Sequence, residues 1–362
     1  MKHTKLGIIG TVGVPACYGG FESLVDNLLP LPFDTRVYCS SKAYSTQQVT
    51  YKQAHLTYLP LSANGVTSIP YDILSVLHAV WKGCNKLLIL GVSGALILPL
   101  VKLIRPNLYI VVNIDGLEWR RQKWGRWAAL FLKLSEHLAV RFSDRVIADN
   151  AAIAAYVKDE YGVEAAEIAY GGDHAVSIQT TEKRDIPAEY AFALCRIEPE
   201  NNVHLILDAC LTSNQSIKFV GNWDNSDYGK ELRRRYADHA SIELLDPVYD
   251  LAQLFSYRAH CKVYLHGHSA GGTNPSLVEM MHFAKPILAY DCDYNRATMN
   301  NHGGYFASAE DLSAQLSKGE FLAHNSGAAL RDIAIAKYTW SGIKQAYLAL
   351  LNDDNRAPNS PS

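Results

Sequence analysis

Short apolar runs alternate with helix-like segments along most of the chain, and this alternation constrains the fold more than any other feature. The runs form two series separated by a polar interval. The first series is 6–10, 35–38, 56–59, 87–90, 108–112 and 145–148, and the second is 190–194, 217–220, 241–244, 262–265 and 286–289. Buried strands that alternate with helices predict parallel sheets covered on both faces, and hence an α/β fold.

The length of 362 residues is long for one hydrophobic core, so two domains are expected. The predicted parts are an N-terminal Rossmann-like domain 1–172, a linker 173–189, a C-terminal Rossmann-like domain 190–339, a helix 340–351 that packs back on the first domain, and a disordered tail 352–362. Ligands of such sheets bind at the carboxyl ends of the strands. We therefore expect the two domains to face each other across a ligand-binding cleft.

The composition limits the class of protein. With 48% apolar and 19% charged residues the chain is typical of a soluble globular protein, and a net charge of −2 gives no general support for nucleic acid binding. Seven cysteines without a C-x-x-C pair predict free thiols in a reducing cytoplasm. We expect no signal peptide, and the longest uncharged run, 87–101, is shorter than the ~20 residues that cross a bilayer.

The stretch 266–281 joins a strand-like run to a predicted helix 275–284 and forms a candidate anion site. Its glycine pair lets the backbone approach a ligand, and Asn274 can cap the helix. Glu279 leans back toward the helix start, where a carboxylate suits a ribose hydroxyl. An anion site beside a carboxylate suits a nucleotide sugar as the donor of a sugar. The candidate donor-binding residues here are Gly271, Gly272, Thr273, Asn274, Ser276 and Glu279. The alternative is an ordinary capped turn with a helical glutamate.

The first loop, 10–22, is too long for a dinucleotide-binding turn and lacks G-x-G-x-x-G. Gly19 and Gly20 precede a helix and again allow close approach of an anion, which makes them candidates for donor binding. Tyr18 and Glu22 are candidates on the acceptor side, where the molecule that receives the sugar would bind. Glu22 can accept a hydrogen bond from a sugar hydroxyl. Glu22 could instead only complement the helix dipole.

Three polar residues follow the strand that ends at 112. Asn113, Asp115 and Glu118 are predicted acceptor-side residues, and Asp115 is the candidate to position or deprotonate an acceptor hydroxyl. Immediately after them, residues 119–127 contain three tryptophans and four basic residues. This pattern suits an anionic membrane surface, and a solvated helix with partly buried tryptophans explains it equally well.

The second series has its own strand-end candidates. Arg196 can reach a diphosphate with two hydrogen bonds, although a surface salt bridge is the alternative. Gly221 and Tyr249 occupy the next strand ends, where a nucleotide base could stack or meet backbone groups. Asp291 and Asp293 have the D-x-D form of some metal–diphosphate sites, but so short a match is expected by chance. The histidines show no zinc pattern, so we predict no metal site.

Taken together, these motifs resemble glycosyltransferase family 4, whose GT-B fold has two facing Rossmann-like domains. The similarity is closest to a bacterial subgroup of rhamnosyltransferases in surface-polysaccharide assembly. It rests on the segments 18–22, 113–119, Arg196 with 199–202, and 266–281. The family pairs two glutamates eight apart. Glu279 matches the second, Gly271 stands at the first, and Asn201 stands where the family has a phosphate-binding lysine.

The resemblance implies a retaining, metal-independent transfer with no cofactor besides a dTDP- or UDP-linked sugar donor. Asp115, Arg196 and Glu279 would be the catalytic residues, and the amides of 271–276 would bind more of the diphosphate. Arg196 and the helix dipole would stabilise the leaving diphosphate. A dTDP donor lacks the ribose 2′-hydroxyl, so Glu279 would hold only O3′ of that donor.

The expected function is transfer of a sugar, with rhamnose from dTDP-rhamnose favoured, onto a lipid-linked saccharide in O-antigen or capsule assembly. The expected place is the cytoplasm or the inner face of the plasma membrane. Alternatives are a transferase that uses a UDP-hexose or UDP-HexNAc, a sugar-nucleotide epimerase, and a non-catalytic nucleotide-sugar-binding protein. An NAD-dependent oxidoreductase is disfavoured by the missing G-x-G-x-x-G.

Overall fold

The computed structural model describes residues 4–17, 19–120, 125–178, 189–319 and 326–353. The chain divides into two compact units. Unit 1 comprises 1–169 and 341–362, and unit 2 comprises 170–340. All seven cysteines lie among the described residues and are free thiols.

Unit 1 is built on an eight-stranded sheet in which every adjacent pair is parallel except β3 with β4. Its strands are β1 (Lys5–Ile9), β2 (Asp34–Ser40), β3 (Thr50–Tyr51), β4 (Ala54–Leu59), β5 (Lys86–Leu90), β6 (Tyr109–Asn113), β7 (Arg145–Ala148) and β8 (Ala166–Glu167). The strand order is β3-β4-β2-β1-β5-β6-β7-β8. The order reverses between β1 and β5, so the loops that follow these two strands meet at the switch point of the sheet.

Helices fill the connections of unit 1. They are α1 (Gly20–Leu28), α2 (Ser68–Trp81), α3 (Leu98–Ile104), α4 (Arg126–Phe142) and α5 (Ala151–Tyr161), with short 3₁₀ turns at Gly65–Thr67, Ala95–Ile97 and Glu118–Arg120. The helices α2, α3 and α4 connect β4 to β5, β5 to β6 and β6 to β7, all in one direction across the sheet. Because parallel crossovers are right-handed, these three helices share one face of the sheet.

Unit 2 has a six-stranded sheet that is parallel throughout. Its strands are β9 (Ala191–Leu194), β10 (Ile217–Val220), β11 (Ile242–Leu245), β12 (Val263–His266), β13 (Ile287–Tyr290) and β14 (Gly304–Phe306). The strand order is β11-β10-β9-β12-β13-β14, so the switch point lies between β9 and β12. Phe219 and Leu265 of one face of the sheet are buried in a core cluster together with Trp223 from the turn after β10.

Short helices surround the sheet of unit 2. They are α6 (Val203–Thr212), α7 (Asp227–Tyr236), α8 (Leu251–His260), α9 (Pro275–Met281), α10 (Asp293–Thr298), α11 (Ala309–Lys318) and α12 (Ser326–Lys337). The last helix, α13 (Trp340–Asn352), begins at the final residue of unit 2, and its remaining residues belong to unit 1. There Tyr347 is buried and accepts a hydrogen bond from Asn113 Nδ2 at 2.9 Å.

The predicted α/β fold is confirmed, since each of the two series of apolar runs forms its own largely parallel, Rossmann-like sheet. The short strands β3, β8 and β14 were not predicted, because two or three residues carry no recognisable period. The predicted helix 275–284 was wrong at its end: α9 stops at Met281, and Ala284 has a left-handed φ of 55°. No helix among the described residues is long and apolar enough to cross a membrane.

Candidate functional site

The switch point of unit 2 brings together the loop 195–202, which follows β9, and the loop 267–274, which follows β12. The two loops are hydrogen-bonded to each other. Asn202 Nδ2 donates to the Gly267 carbonyl at 2.9 Å, and Ser269 donates to the Glu200 carbonyl from its amide at 3.0 Å and its hydroxyl at 2.8 Å. These bonds fix the backbone at the edge of the sheet where ligands of this architecture bind.

Asn201, which replaces the lysine that the family resemblance implies, is a buried structural residue. Its Nδ2 donates to the Arg196 carbonyl at 2.7 Å, which closes the loop after β9. The Arg196 side chain itself remains 57% exposed, and its Nη2 lies 3.7 Å from Glu198 Oε2, beyond hydrogen-bonding distance. The main chain at Arg196 is therefore held by Asn201, and the guanidinium is open to solvent.

The start of α9 has the predicted cap. Asn274 Oδ1 accepts from the Ser276 amide at 3.0 Å, and Pro275 occupies the first turn. The Ser276 hydroxyl donates to Asn274 Oδ1 at 2.7 Å and accepts from the buried Tyr264 hydroxyl at 3.1 Å. The side chains of Asn274 and Ser276 thus make hydrogen bonds to other groups of the protein. Their predicted contact with a donor would therefore be made by their backbone atoms.

The glycines of the same loop have different backbone requirements. Gly271 has a φ of +106°, which side chains other than glycine rarely adopt, whereas Gly272 has no such conformation. The carboxylate that the family resemblance implies at 271 would therefore be strained in this loop conformation. Thr273 is buried, with its Oγ1 3.5 Å from that of Thr298.

Glu279 is held by two basic side chains. Arg258 on α8, itself only 6% exposed, contacts Glu279 Oε2 through Nη2, and His174 Nε2 lies 3.2 Å from Glu279 Oε1. Burial raises the pKa of this carboxyl, but the charge of Arg258 and the hydrogen bonds of both partners outweigh it and hold the pKa below its usual value. Glu279 is thus an ionised carboxylate that is only 16% exposed.

The orientation of His174 is fixed by a tryptophan. Trp340 Nε1 donates to His174 Nδ1 at 2.9 Å, and the Trp340 amide donates to Asp173 Oδ1 at 2.8 Å. An indole only donates, so Nδ1 must accept, and the neutral imidazole carries its proton on Nε2. That proton points at Glu279. Gly172 permits this packing, because a Cβ there would lie 2.7 Å from the Glu279 amide.

Sequence reasoning missed His174, Arg258 and Trp340. His174 fell in the predicted linker, where the structure has a 3₁₀ turn, Asp173–Val176. Arg258 precedes Glu279 by 21 positions and belongs to an otherwise ordinary helix. None of these three residues lies in a recognisable local motif, since their partners are distant in sequence.

The other donor candidates of unit 2 differ in accessibility. Gly221 is required by packing, because a Cβ there would lie 2.4 Å from Cδ1 of Ile197. Tyr249 is 88% exposed after β11, and its contact with a nucleotide base stays a prediction. Asp291 binds Arg296 with both carboxylate oxygens, at 2.6 and 2.8 Å, so the D-x-D pair is part of a surface ion pair.

His266 ends β12 at the switch point and is almost completely buried. Neither of its ring nitrogens has a hydrogen-bond partner among the described residues. Its ring stacks on that of His268 at 4.5 Å, and burial lowers its pKa to about 3, so the ring is neutral at physiological pH. A buried ring with both nitrogens unsatisfied is costly and marks this strand end as unusual.

The long loop after β1 lies at the switch point of unit 1 and folds back on its own unit. Glu22 is buried, and its Oε1 accepts from Thr11 Oγ1 at 2.9 Å and from the Val12 amide at 2.6 Å. Tyr71 donates to the Thr11 carbonyl at 3.0 Å. Glu22 therefore clamps the loop, a role that the sequence did not predict, and Oε1 is occupied.

Gly19 is the N-cap residue of α1, and Gly20 is its first residue, with no side-chain cap from the described part of the chain. The predicted acceptor residue Tyr18 lies outside the described residues. An uncapped helix start is compatible with the predicted close approach of an anion to Gly19 and Gly20.

The three candidates after β6 form a tight turn. Asn113 is buried, and its Oδ1 accepts from the Asp115 amide at 3.0 Å while Nδ2 bonds Tyr347. Asp115 has a left-handed φ of 62°, a conformation that Asp and Asn tolerate better than most side chains. Asn113 is thus the scaffold of the turn, and both Asp115 and Glu118 are partly accessible.

The patch 119–127 is described only in part, because residues 121–124 lie outside the described residues. Trp119 is half-buried, and its Nε1 donates to the buried Glu136 at 3.1 Å. Trp127 at the start of α4 is 85% exposed. The two tryptophans therefore have opposite environments.

Replacing Gly271 with Ala is expected to lower the free energy of unfolding by about 1–2 kcal/mol, because a Cβ disfavours its left-handed conformation. Gly272→Ala is the matched control and should cost less, since its φ is not positive. Urea denaturation of the two variants measures the difference. Equal losses would mean that the loop does not hold Gly271 in this conformation.

Replacing Arg258 with Met is expected to cost about 3–5 kcal/mol of stability at pH 7, because Glu279 would be left as a buried unpaired charge. The wild-type pKa of Glu279 lies below its unfolded value, so the pair stabilises above that value and loses its effect as pH falls through the folded pKa. The cost of Arg258→Met should therefore shrink below about pH 4.

Two companions control this measurement by chemical denaturation. Arg258→Met combined with Glu279→Gln should recover part of the loss, since no charge remains to be buried. Arg235→Met removes the more exposed pair with Asp208 and should cost at most about 1 kcal/mol. A cost of Arg258→Met that is no larger than this control, or that does not change with pH, would contradict the ion-pair interpretation.

Comparisons with known proteins bear on the fold. The family described as "Domain of unknown function (DUF1972)" matches residues 2–173, slightly less than half of the chain. No curated protein matches the sequence. The family match covers most of the contiguous N-terminal part of unit 1 and, by its description, assigns no activity.

Solved structures match nearly the whole chain. Sucrose-phosphate synthase of Thermosynechococcus elongatus has a TM-score of 0.75 at 14% identity, covering 96% of this chain and 98% of that one. HepE of Anabaena in complex with UDP has a TM-score of 0.70 at 15% identity, covering 96% and 99%. The catalytic domain of starch synthase IV of Arabidopsis thaliana, bound to ADP and acarbose, has 0.64 at 12%, covering 96% and 98%. The chain thus has the GT-B fold of these proteins, with two Rossmann-like domains.

Proposed function

We propose that this protein is a glycosyltransferase that takes a sugar from a nucleoside diphosphate and passes it to a saccharide acceptor. The observation that carries the proposal is Glu279, an ionised and largely buried carboxylate beside the switch point of unit 2. An ionised carboxylate in this position, fixed by Arg258 and His174, is suited to bind the hydroxyls of a ribose.

The hydrogen-bonding capacity of Glu279 supports this role. A carboxylate offers about four acceptor positions, and Arg258 and His174 occupy two of them, one on each oxygen. Two remain for ligand hydroxyls. Because Arg258 and His174 hold the carboxylate from within unit 2, little side-chain entropy would be lost on binding, which favours affinity.

The diphosphate is assigned to Arg196 and the backbone of the loop 267–274. Arg196 is the exposed cation of the switch point, and its guanidinium can donate two parallel hydrogen bonds to phosphate oxygens. Charge on the leaving diphosphate grows as the glycosidic bond breaks. A guanidinium bound to the diphosphate would stabilise that charge more in the transition state than in the ground state, which is what accelerates the reaction.

The acceptor is assigned to unit 1, with Asp115 as the residue that positions its hydroxyl. The left-handed turn held by Asn113 gives Asp115 a defined backbone orientation, and unusual backbone conformations cluster at active sites. Glu118 would add a second polar contact. Tyr18 and Glu22 complete the proposed acceptor side.

For the donor sugar we propose rhamnose, carried by dTDP, and for the acceptor a lipid-linked saccharide of O-antigen or capsule assembly. The resemblance of the sequence motifs supports this choice. HepE has been solved with UDP-glucose, which supports a UDP-hexose as the alternative donor. We further propose a retaining, metal-independent reaction in the cytoplasm, at the inner face of the plasma membrane, with residues 119–127 contacting the membrane.

A non-catalytic nucleotide-sugar-binding protein is the second candidate. It is favoured by Gly271 and Asn201, which stand where the resemblance implies a carboxylate and a lysine. Such a protein would keep the ribose contact of Glu279 and bind donors without turning them over. If both candidates bound the donor equally tightly, the transferase would turn it over and the binding protein would not.

A donor screen tests the proposal. Purified protein is incubated with dTDP-rhamnose, UDP-glucose and UDP-N-acetylglucosamine together with a GlcNAc-lipid acceptor, and both binding and product are measured. Transfer from dTDP-rhamnose above the other donors is expected. Tight dTDP or UDP binding without turnover of any donor would refute the transferase and favour the binding protein.

Substitutions at the assigned residues test their roles. Glu279→Gln, Arg196→Ala and Asp115→Asn should each lower kcat/KM at least tenfold, about 1.4 kcal/mol of transition-state stabilisation. Asp115→Asn keeps a side chain that tolerates the left-handed turn, so its effect would report the lost charge. Glu310→Gln on α11 and the exposed Arg234→Ala on α7 are matched controls and should retain activity. Wild-type rates for Glu279→Gln and Arg196→Ala would show that the donor binds elsewhere.

A further inference from the structure

Three neighbouring helices of unit 1 expose many large apolar side chains. Ten such residues lie on α2, α4 and the segment Ala95–Ile104 that contains α3: Leu74, Leu77, Trp81, Leu96, Leu100, Leu103, Ile104, Trp127, Leu130 and Leu134. Only two other exposed large apolar residues, Val49 and Val66, occur in the described part of unit 1. The apolar surface is therefore concentrated on these helices, which we call the three-helix face.

The side chains form one stripe on each helix. On α2 they recur at 74, 77 and 81, and on α4 at 127, 130 and 134, the spacing of a single helical face. On the third segment they recur at 96, 100, 103 and 104. The buried residues of the three helices, among them Tyr71, Leu98 and Ala139, lie on other sides than the stripes, so the stripes point away from the core.

The stripes belong to one surface. The crossovers place α2, α3 and α4 on the same side of the sheet, as their common direction requires. α3 contacts α4, and the turn Ala95–Ile97 contacts both α2 and α4, so α3 lies between the other two. An apolar surface of this extent on a soluble domain marks an interaction site.

The exposed charged side chains on α2, α3, α4 and at their ends are basic, and the nearest exposed carboxylate, Glu160 of α5, pairs with Lys133 of α4 at 2.9 Å. Lys82, Arg105 and Arg126 are exposed at the ends of α2, α3 and α4, and Lys82 lies over the ring of Trp81 at 4.4 Å. Within the three helices, all of whose residues are described, the two carboxylates, Asp72 and Glu136, are buried. The face thus presents apolar side chains and cations, with no exposed carboxylate on its helices.

We propose that the three-helix face docks on an anionic lipid bilayer. Apolar side chains would enter the acyl boundary, Trp81 and Trp127 suit the interfacial region, and the basic residues meet anionic headgroups. Cations flank every stripe and would also suit a protein partner with an acidic rim. Such a partner would fit less well than a bilayer, because the stripes are dominated by aliphatic side chains. The proposal deepens the membrane contact of the proposed function and rests on that part of it, because it assigns docking to α2, α3 and α4. Docking itself needs neither donor nor acceptor.

Vesicle co-sedimentation of the full chain tests the proposal. Vesicles of equimolar phosphatidylglycerol and phosphatidylcholine are compared with vesicles of phosphatidylcholine alone, without any nucleotide or saccharide. Binding to the anionic vesicles, weakened by added salt, is expected. Donor binding and sugar transfer are measured separately with a water-soluble acceptor, so that failure of docking and failure of the transferase are distinguishable.

The apolar arm of the test is Leu103→Glu combined with Trp127→Glu, two side chains that are 79% and 85% exposed. This variant should bind anionic vesicles at least about tenfold more weakly, because it loses inserted apolar area and adds two repelled charges. Val49→Glu is the matched control, with the same substitution at a residue 78% exposed outside the face, and should bind as wild type.

The charge arm replaces Lys82, Arg105 and Arg126 with Gln, singly and together. Each single replacement should weaken binding about fivefold, from the ~1 kcal/mol that a basic residue contributes near an anionic surface. Because these side chains lie at helix ends and are exposed, this arm remains decisive even if the double glutamate variant fails to fold.

Three results would overturn the proposal. Wild-type protein that fails to bind anionic vesicles, or variants of the face that bind like Val49→Glu, would exclude bilayer docking. Equally, if sedimentation velocity finds a dimer in the absence of vesicles that becomes monomeric in Leu103→Glu/Trp127→Glu, the face is a self-association surface.

Discussion

Parallel pairing of strands is the constraint on which the rest of the structure depends. A parallel strand cannot be reached by a tight turn, so each strand is followed by a crossover that carries the chain along one side of the sheet. In unit 2 the crossovers run one way from β9 to β11 and the other way from β12 to β14. The reversal leaves two loops side by side with no helix between them, and these loops carry Arg196 and lead into α9.

Two glutamates near the starts of their helices show how packing separates a structural role from a functional one. Glu22 in α1 and Glu279 in α9 both follow a switch-point loop. One oxygen of Glu22 accepts hydrogen bonds from a threonine and an amide of the preceding loop, and these bonds stabilise that loop. Glu279 is held by two basic side chains, which keep it ionised in a buried setting. Glu279 is thereby a fixed charge that keeps acceptor positions for a ligand.

The sequence predicts features that depend on local spacing. The strands between β1 and β13 that have four or more residues follow from the periodicity of their apolar residues. The cap of α9 by Asn274 follows from turn chemistry within a few residues. The partners of Glu279 do not, because Arg258 and His174 come from other segments. Asn113 likewise meets Tyr347, 234 positions later. The three-helix face was hidden for another reason: an apolar stripe has the same period whether a core covers it or not.

The conformation of Gly271 has a consequence for how the donor loop can change by mutation. A glutamate there would need a backbone that the present loop does not have, because φ is +106°. That loop is in turn hydrogen-bonded to the neighbouring one through Ser269, and Gly267 packs against the carbonyl of Asn201. A carboxylate at 271 would therefore start on a strained backbone, and relief of that strain would involve both loops. The order in which such mutations occur would then decide how stable each intermediate is.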